Sequence, residues 1–113
     1  MASLATLKAF AETIEANDHV GAIEQFYAPA ASIRENDNPP LHGRDALAER
    51  KRQVLTRVGG VKTARLGPVL LDRDHKAIRR RFEFTGKNGS TRVMEEVAWQ
   101  TWRDKELIDE HFL

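Results

Sequence analysis

The stretch Ile78–Arg103, IRRRFEFTGKNGSTRVMEEVAWQTWR, decides the fold. Gly86-Lys87-Asn88-Gly89 in its middle is a hairpin signal, flanked by alternating runs that read as strands over Ile78–Thr85 and Thr91–Arg103. Successive side chains of a strand point to opposite faces, so placing one residue places the rest. Ile78, Phe82 and Phe84 are apolar and face the core. Arg80 shares their parity and is carried inward, while Arg79 and Arg81 point out. On the partner strand Met94, Ala98 and Trp102 take Glu96 and Gln100 with them. Pairing about the turn sets Arg80 opposite Glu96. A slip of one residue would turn Arg79, Arg81 and Glu83 inward instead.

Upstream of the hairpin the apolar period changes to that of helices. Leu4, Leu7, Phe10, Ala11 and Ile14 recur at steps of three and four, with Ser3 placed to cap the first amides. Asn17-Asp18 breaks this helix, and Asp18 can cap a second one striped by Val20, Ile23, Phe26 and Tyr27. Pro29 ends it, because the residue before proline is pushed out of helical geometry. A short strand over Ala30–Arg34 follows, then a turn-rich loop from Glu35 to Pro40. Gly43–Arg57 reads as a third helix with Leu47, Val54 and Val58 on one face, stopped by Gly59-Gly60. Val61–Leu71 is a strand in which Gly67-Pro68 marks a bulge or an edge. Asp72-Arg73-Asp74 and Asp104-Lys105 are turns, and Leu107–Leu113 is the last strand. Helices first and antiparallel hairpins after describe an α+β domain with helices on one sheet face.

The chain has 113 residues, the size of one domain spanning 1–113. Its net charge is +1, which gives no global field for a nucleic-acid partner. The basic runs at Arg50-Lys51-Arg52 and Arg79-Arg80-Arg81 read mostly as solvated faces. No basic leader precedes an apolar run at the start, and no apolar stretch approaches the roughly 20 residues of a membrane span. A cytoplasmic protein without membrane or nucleic-acid partners is expected. There is no cysteine, which removes thiol chemistry and cysteine–zinc sites.

The order of elements and their residues resembles the nuclear transport factor 2-like superfamily, which includes ketosteroid isomerases, SnoaL-like polyketide cyclases and limonene epoxide hydrolases. The resemblance covers nearly the whole chain. It rests on Ala16-Asn17-Asp18, on Phe26-Tyr27-Ala28-Pro29-Ala30-Ala31-Ser32-Ile33, on His42-Gly43-Arg44-Asp45-Ala46-Leu47, and on Trp99-Gln100-Thr101-Trp102-Arg103-Asp104 followed by Leu107-Ile108-Asp109-Glu110. It implies a cone-shaped fold, with three N-terminal helices packed on a curved antiparallel sheet that encloses one pocket, and frequent dimers. It also implies what is missing. The ketosteroid isomerases carry oxyanion donors where Phe10 and Ala98 stand here, although Glu35 stands at their base position. Each missing donor forfeits about 3 kcal/mol of stabilisation, so steroid isomerisation by that route is not expected. The last-strand acid of the epoxide hydrolases falls on Phe112.

The expected site combines parity with the resemblance. Glu35, Arg80, Glu96 and Glu110 are the candidate catalytic residues, and Tyr27, Asn36, His42, Gln100 and Trp102 the candidate ligand contacts. Carboxylates sharing a partly dry cavity repel, which raises at least one pKa toward neutrality and suits general acid–base work. The plainer reading of Arg80 and Glu96 is a buried ion pair that satisfies both charges. His19 and His75 fall in turns and should be exposed, whereas His42 should rim the pocket. The four histidines show no metal-ligand spacing, and no phosphate or dinucleotide motif occurs, so neither metal nor cofactor is expected. Val97, Trp99 and Thr101 take the outward parity. They mark the open sheet face as a homodimer surface, unless the chain itself covers the tryptophan. The expected function is binding of a small, partly apolar organic ligand, with proton transfer of the cyclase or isomerase type implied by the resemblance. The alternative is a non-catalytic ligand-binding or association module.

Overall fold

Two polar side chains start the first helices. In the computed structural model, which describes residues 2–113, Ser3 accepts the Thr6 amide at the head of α1 (Leu4–Glu15). Asp18 accepts the Gly21 amide and heads α2 (His19–Phe26). The Asp18 carboxylate lies over Gly21, in space that a side chain at position 21 would make it leave. Between the helices Asn17 turns the chain with φ of 67°, a left-handed conformation that asparagine tolerates better than most residues.

α2 ends at Phe26, and the chain is already extended at Tyr27. β1 therefore spans Tyr27–Glu35, starting earlier than expected and running through Pro29. Proline is tolerated there because the register shifts between Tyr27 and Ser32, where a missing amide breaks no ladder. A two-residue strand, β2 (Leu41–His42), pairs back onto β1 before α3 (Arg44–Thr56). β3 (Val58–Asp72) begins two residues after that helix. Gly59-Gly60 thus lies inside a strand and does not form the stop expected of it. β4 (His75–Gly86), β5 (Thr91–Arg103) and β6 (Glu106–Phe112) complete the chain. Arg73 and Asp104 make the tight turns with φ of 55° and 53°.

The six strands form one sheet in the order β2-β1-β6-β5-β4-β3. The hairpins from β3 to β6 are antiparallel, as their short turns require. β1 lies parallel to β6, which corrects the expectation of a purely antiparallel sheet. The connection from β1 to β6 runs through most of the chain, so no turn dictates its direction. Arg80 pairs with Glu96 and Ile78 with Ala98, the register that alternation demands. β3 is an edge strand, and its register shifts between Leu66 and Leu70, around Gly67-Pro68.

The helices pack on one another and on β1 and β3. Phe10 of α1 centres the core. It meets Phe26 edge-on at 5.4 Å and Trp102 at 5.2 Å, joining both first helices to β5. Ile14, Ile23, Leu47 and Leu107 close around it, all buried. Among the described residues no helix is long and apolar enough to cross a membrane.

Candidate functional site

The inner row of β4 runs Lys76, Ile78, Arg80, Phe82, Phe84, facing Gln100, Ala98, Glu96, Met94 and Arg92 on β5, where Trp102 extends the row beyond Gln100. The half of these rows nearer the hairpin tip walls a cavity of about 660 Å³ beneath α3. Its inner end is made by His19, Leu47 and Phe82, all buried. Its mouth lies among Glu35, Leu41, Arg50, Ser90 and Arg92, all exposed. Most of the wall between is aliphatic or aromatic.

Two of the four candidate catalytic residues, Glu35 and Glu96, lie on this wall. Burial pushes the Glu96 carboxyl above the ordinary glutamate value, and the Glu35 charge adds to the rise. Lys51 and Arg80 pull the other way without cancelling it. A carboxyl in this condition holds its proton closer to neutrality and can both give and take one.

Tyr27, Gln100, Trp102 and Glu110 are all inward, but they do not reach the cavity wall. They lie below it, where Phe10 fills the space over Trp102. Trp102 Nε1 donates to Gln100 Oε1 at 3.0 Å, and Gln100 Nε2 donates to Glu110 Oε2 at 2.6 Å. The Tyr27 hydroxyl donates to Glu110 Oε1. Burial, and next the Glu110 charge, hold the Tyr27 pKa well above its usual value, so the phenol keeps its proton. Both Glu110 oxygens are therefore occupied by neutral donors from two strands.

Arg80 is also buried, 3% exposed, at the junction of these two regions. The expected meeting of Arg80 and Glu96 does not occur: no ion pair joins them, although their backbones are paired. Glu96 takes the cavity side, while the Arg80 guanidinium carbon lies 5.8 Å from the centre of the Phe10 ring, toward α1. Arg80 Nη2 has no hydrogen-bond partner. Lys76 joins it on the same row, fully buried, with Nζ 5.2 Å from the Phe10 centroid. Burial, and then the Arg80 charge, lower its pKa to about 8. Lys76 escaped the sequence reading, yet continuing the alternation one step before Ile78 reaches it.

Other expectations need correction. Asn36 is not on the wall; its carbonyl accepts His111 Nε2 at 2.8 Å. His42 does not rim the cavity either, because alternation on β2 gives that place to Leu41. His19 is not an exposed turn residue. It opens α2 with its ring buried, Nε2 2.9 Å from Thr63 Oγ1. Burial, followed by the charges of Lys51 and Arg80, lowers its pKa to about 4. His75 is half-buried on β4, stacked on Trp99 at 5.3 Å.

No protein-family model matches the sequence, and no curated protein does so either. Solved structures do match. A protein of Mesorhizobium loti described as a SnoaL-like polyketide cyclase is 27% identical, with 96% of this chain and 95% of that one covered and a TM-score of 0.78. A nuclear transport factor 2-like protein of unknown function from Burkholderia pseudomallei is 14% identical over 97% and 88%, at a TM-score of 0.80. The chain has the nuclear transport factor 2-like fold of the SnoaL-like proteins. A Catenulispora acidiphila protein with the ketosteroid isomerase-like variant of this fold, solved with trimethylamine, is 12% identical over 98% and 85%, with a TM-score of 0.78.

The buried His19 supplies a test of this nuclear transport factor 2-like site. Its ring should titrate near pH 4 by NMR, where an ordinary histidine titrates near 6.5. The unfolded chain binds this proton more readily than the folded one, so stability rises with pH through that window. The His19 contribution is full above pH 6.5 and is lost as the pH falls toward 4. Urea unfolding should therefore show a shallower pH slope between those values in His19→Gln.

Proposed function

We propose that the protein binds a small, partly apolar organic molecule in the conical cavity and moves a proton on it, as a cyclase- or isomerase-type enzyme. One observation carries this reading: a carboxyl with a raised pKa, Glu96, shares a mostly apolar cavity wall with a second acid, Glu35. Glu35 is the base, Glu96 tunes it and holds the exchanged proton, and Arg80, buried beneath the wall, favours negative charge in the cavity through its field. Glu110 acts from below, through its field. A non-catalytic binding module is the second reading. It is favoured by the mutual saturation of Tyr27, Gln100 and Glu110, which leaves none of the three free to contact a ligand. We place this activity in the cytoplasm, consistent with a chain that has no cysteine.

The open sheet face belongs to the same proposal, as the surface of a two-fold homodimer. Trp99 is 42% exposed, although His75 stacks against one face of its indole, and Val93 and Val97 lie exposed on the same parity. Tryptophan at the centre of an interface typically contributes about 2 kcal/mol or more, and a two-fold axis lets one stripe meet itself.

Each half of the proposal has its own test. Deuterium exchange at the acidic carbon of a 1,3-diketone, followed by NMR, should be catalysed by the wild type. Glu35→Gln should abolish it while the diketone still binds; unchanged exchange would remove Glu35 from the mechanism. Sedimentation at micromolar concentration should give twice the 12.8 kDa chain mass. Trp99→Glu should bring it down to one chain, and an undisturbed dimer would reject this face.

A further inference from the structure

Taking a proton from carbon leaves an electron pair behind, which needs an oxygen to carry it and a group to stabilise that oxygen. Glu35 and Glu96, both acids, are not such a group when ionised. Arg80 lies against Phe10 and is not among the residues that line the cavity. Three lysine or arginine side chains do line it: Arg50, Lys51 and Arg92. The two arginines are exposed, where water screens their charge, whereas Lys51 is half-buried.

Helical spacing sends Lys51 inward. Leu47, Lys51, Val54 and Leu55 recur at steps of three and four along α3, and all four line the cavity. Arg52, the next residue after Lys51, is tied instead to Glu24 at 2.9 Å and Glu49 at 3.1 Å. Lys51 has no such tie: among the described residues no ion pair includes it. Its charge bears on two groups of the wall, His19 on α2 and Glu96 on β5. Glu96 feels Glu35 as well, so the two acids and the ammonium act on one part of the cavity.

We propose that Lys51 is the oxyanion-holding residue of this cavity, taking the carbonyl oxygen of an enolisable ligand from the α3 side while Glu35 and Glu96 face it from the sheet. The step balances within the bound pair. Glu35 accepts the proton, the C–H electron pair becomes the new C=C bond, and the carbonyl π pair moves onto the oxygen beside the Lys51 ammonium. Return of the proton to carbon reverses each shift. An ammonium in a mostly apolar cavity attracts this oxygen more strongly as charge develops on it, so its contribution falls on the rate more than on ketone binding. The inference rests on the proton-transfer reading above, and it adds the residue that stabilises the charged state and orients the ligand.

Two probes of one shape isolate the role of Lys51: 4-nitrophenolate, a stable analogue of the enolate used at a pH where it is ionised, and neutral nitrobenzene. By calorimetry the wild type should bind nitrophenolate about tenfold more tightly than nitrobenzene. Lys51→Met should erase that preference while retaining nitrobenzene, and Lys51→Arg should keep part of it. In the wild type the Lys51 Cε resonance should move with nitrophenolate and stay in place with nitrobenzene, a readout independent of how any variant folds. Deuterium exchange of the 1,3-diketone should slow about a hundredfold in Lys51→Met, with the diketone still bound. Equal binding of the two probes, a preference that survives in Lys51→Met, an unmoved Cε resonance, or wild-type exchange in Lys51→Met overturns the role of Lys51 and leaves Glu35 as the base. Absence of exchange in the wild type, with the nitrophenolate preference present, overturns the proton-transfer reading and leaves Lys51 as the oxyanion contact of a binding site.

Discussion

The two-residue alternation of β4 is the constraint from which the interior follows. Phe82 and Phe84 must face the helices to be buried, and a strand cannot turn them inward without turning Arg80 and Lys76 in as well. Two cations are thereby committed to a core that is otherwise packed around Phe10. The fold manages this unevenly. Lys76 lies beside the Phe10 ring and has its charge weakened by burial, whereas Arg80 keeps its charge at any accessible pH.

The buried carboxylate of Glu110 offsets part of this charge and joins separate strands. Tyr27 reaches it from β1 and Gln100 from β5, with Trp102 extending the chain of donors. Such a network specifies register as well as stability, because a one-residue slip of β6 would carry Glu110 to the outer face and bare its partners. It also divides labour between acids that look alike in sequence. Glu110 is held rigidly under the floor, whereas Glu35 and Glu96 keep free oxygens toward the cavity. Only the second pair lines the cavity.

Much of this was legible in the residues, and what was not has identifiable causes. The caps at Ser3 and Asp18, the bounds of β5 and the Arg80–Glu96 register all follow from local rules, and the structure has them. The parallel pairing of β1 with β6 joins strands far apart in the chain, and no turn announces it. The early start of β1 was masked by Pro29, which ends helices but also sits in irregular strands. Parity assigned Gln100, Trp102 and Glu110 correctly to the inner face. It cannot say how deep a helix fills that face, so the reading brought them to the cavity when Phe10 keeps them beneath it. His19 was misplaced for a related reason: a residue following a cap is exposed only if nothing packs over it, and here Thr63 and Phe82 do.

The most direct measurement of the central claim, that the cavity holds an acid poised for proton transfer, is a carbon-13 NMR titration of the glutamate side-chain carboxyls. The expected result is a Glu96 carboxyl that titrates above the ordinary glutamate value in the wild type. It should move back toward that value in Glu35→Gln, because after burial the Glu35 charge is the next largest cause of the rise. A Glu96 that titrates like a glutamate in water, unmoved by the loss of the Glu35 charge, would contradict it.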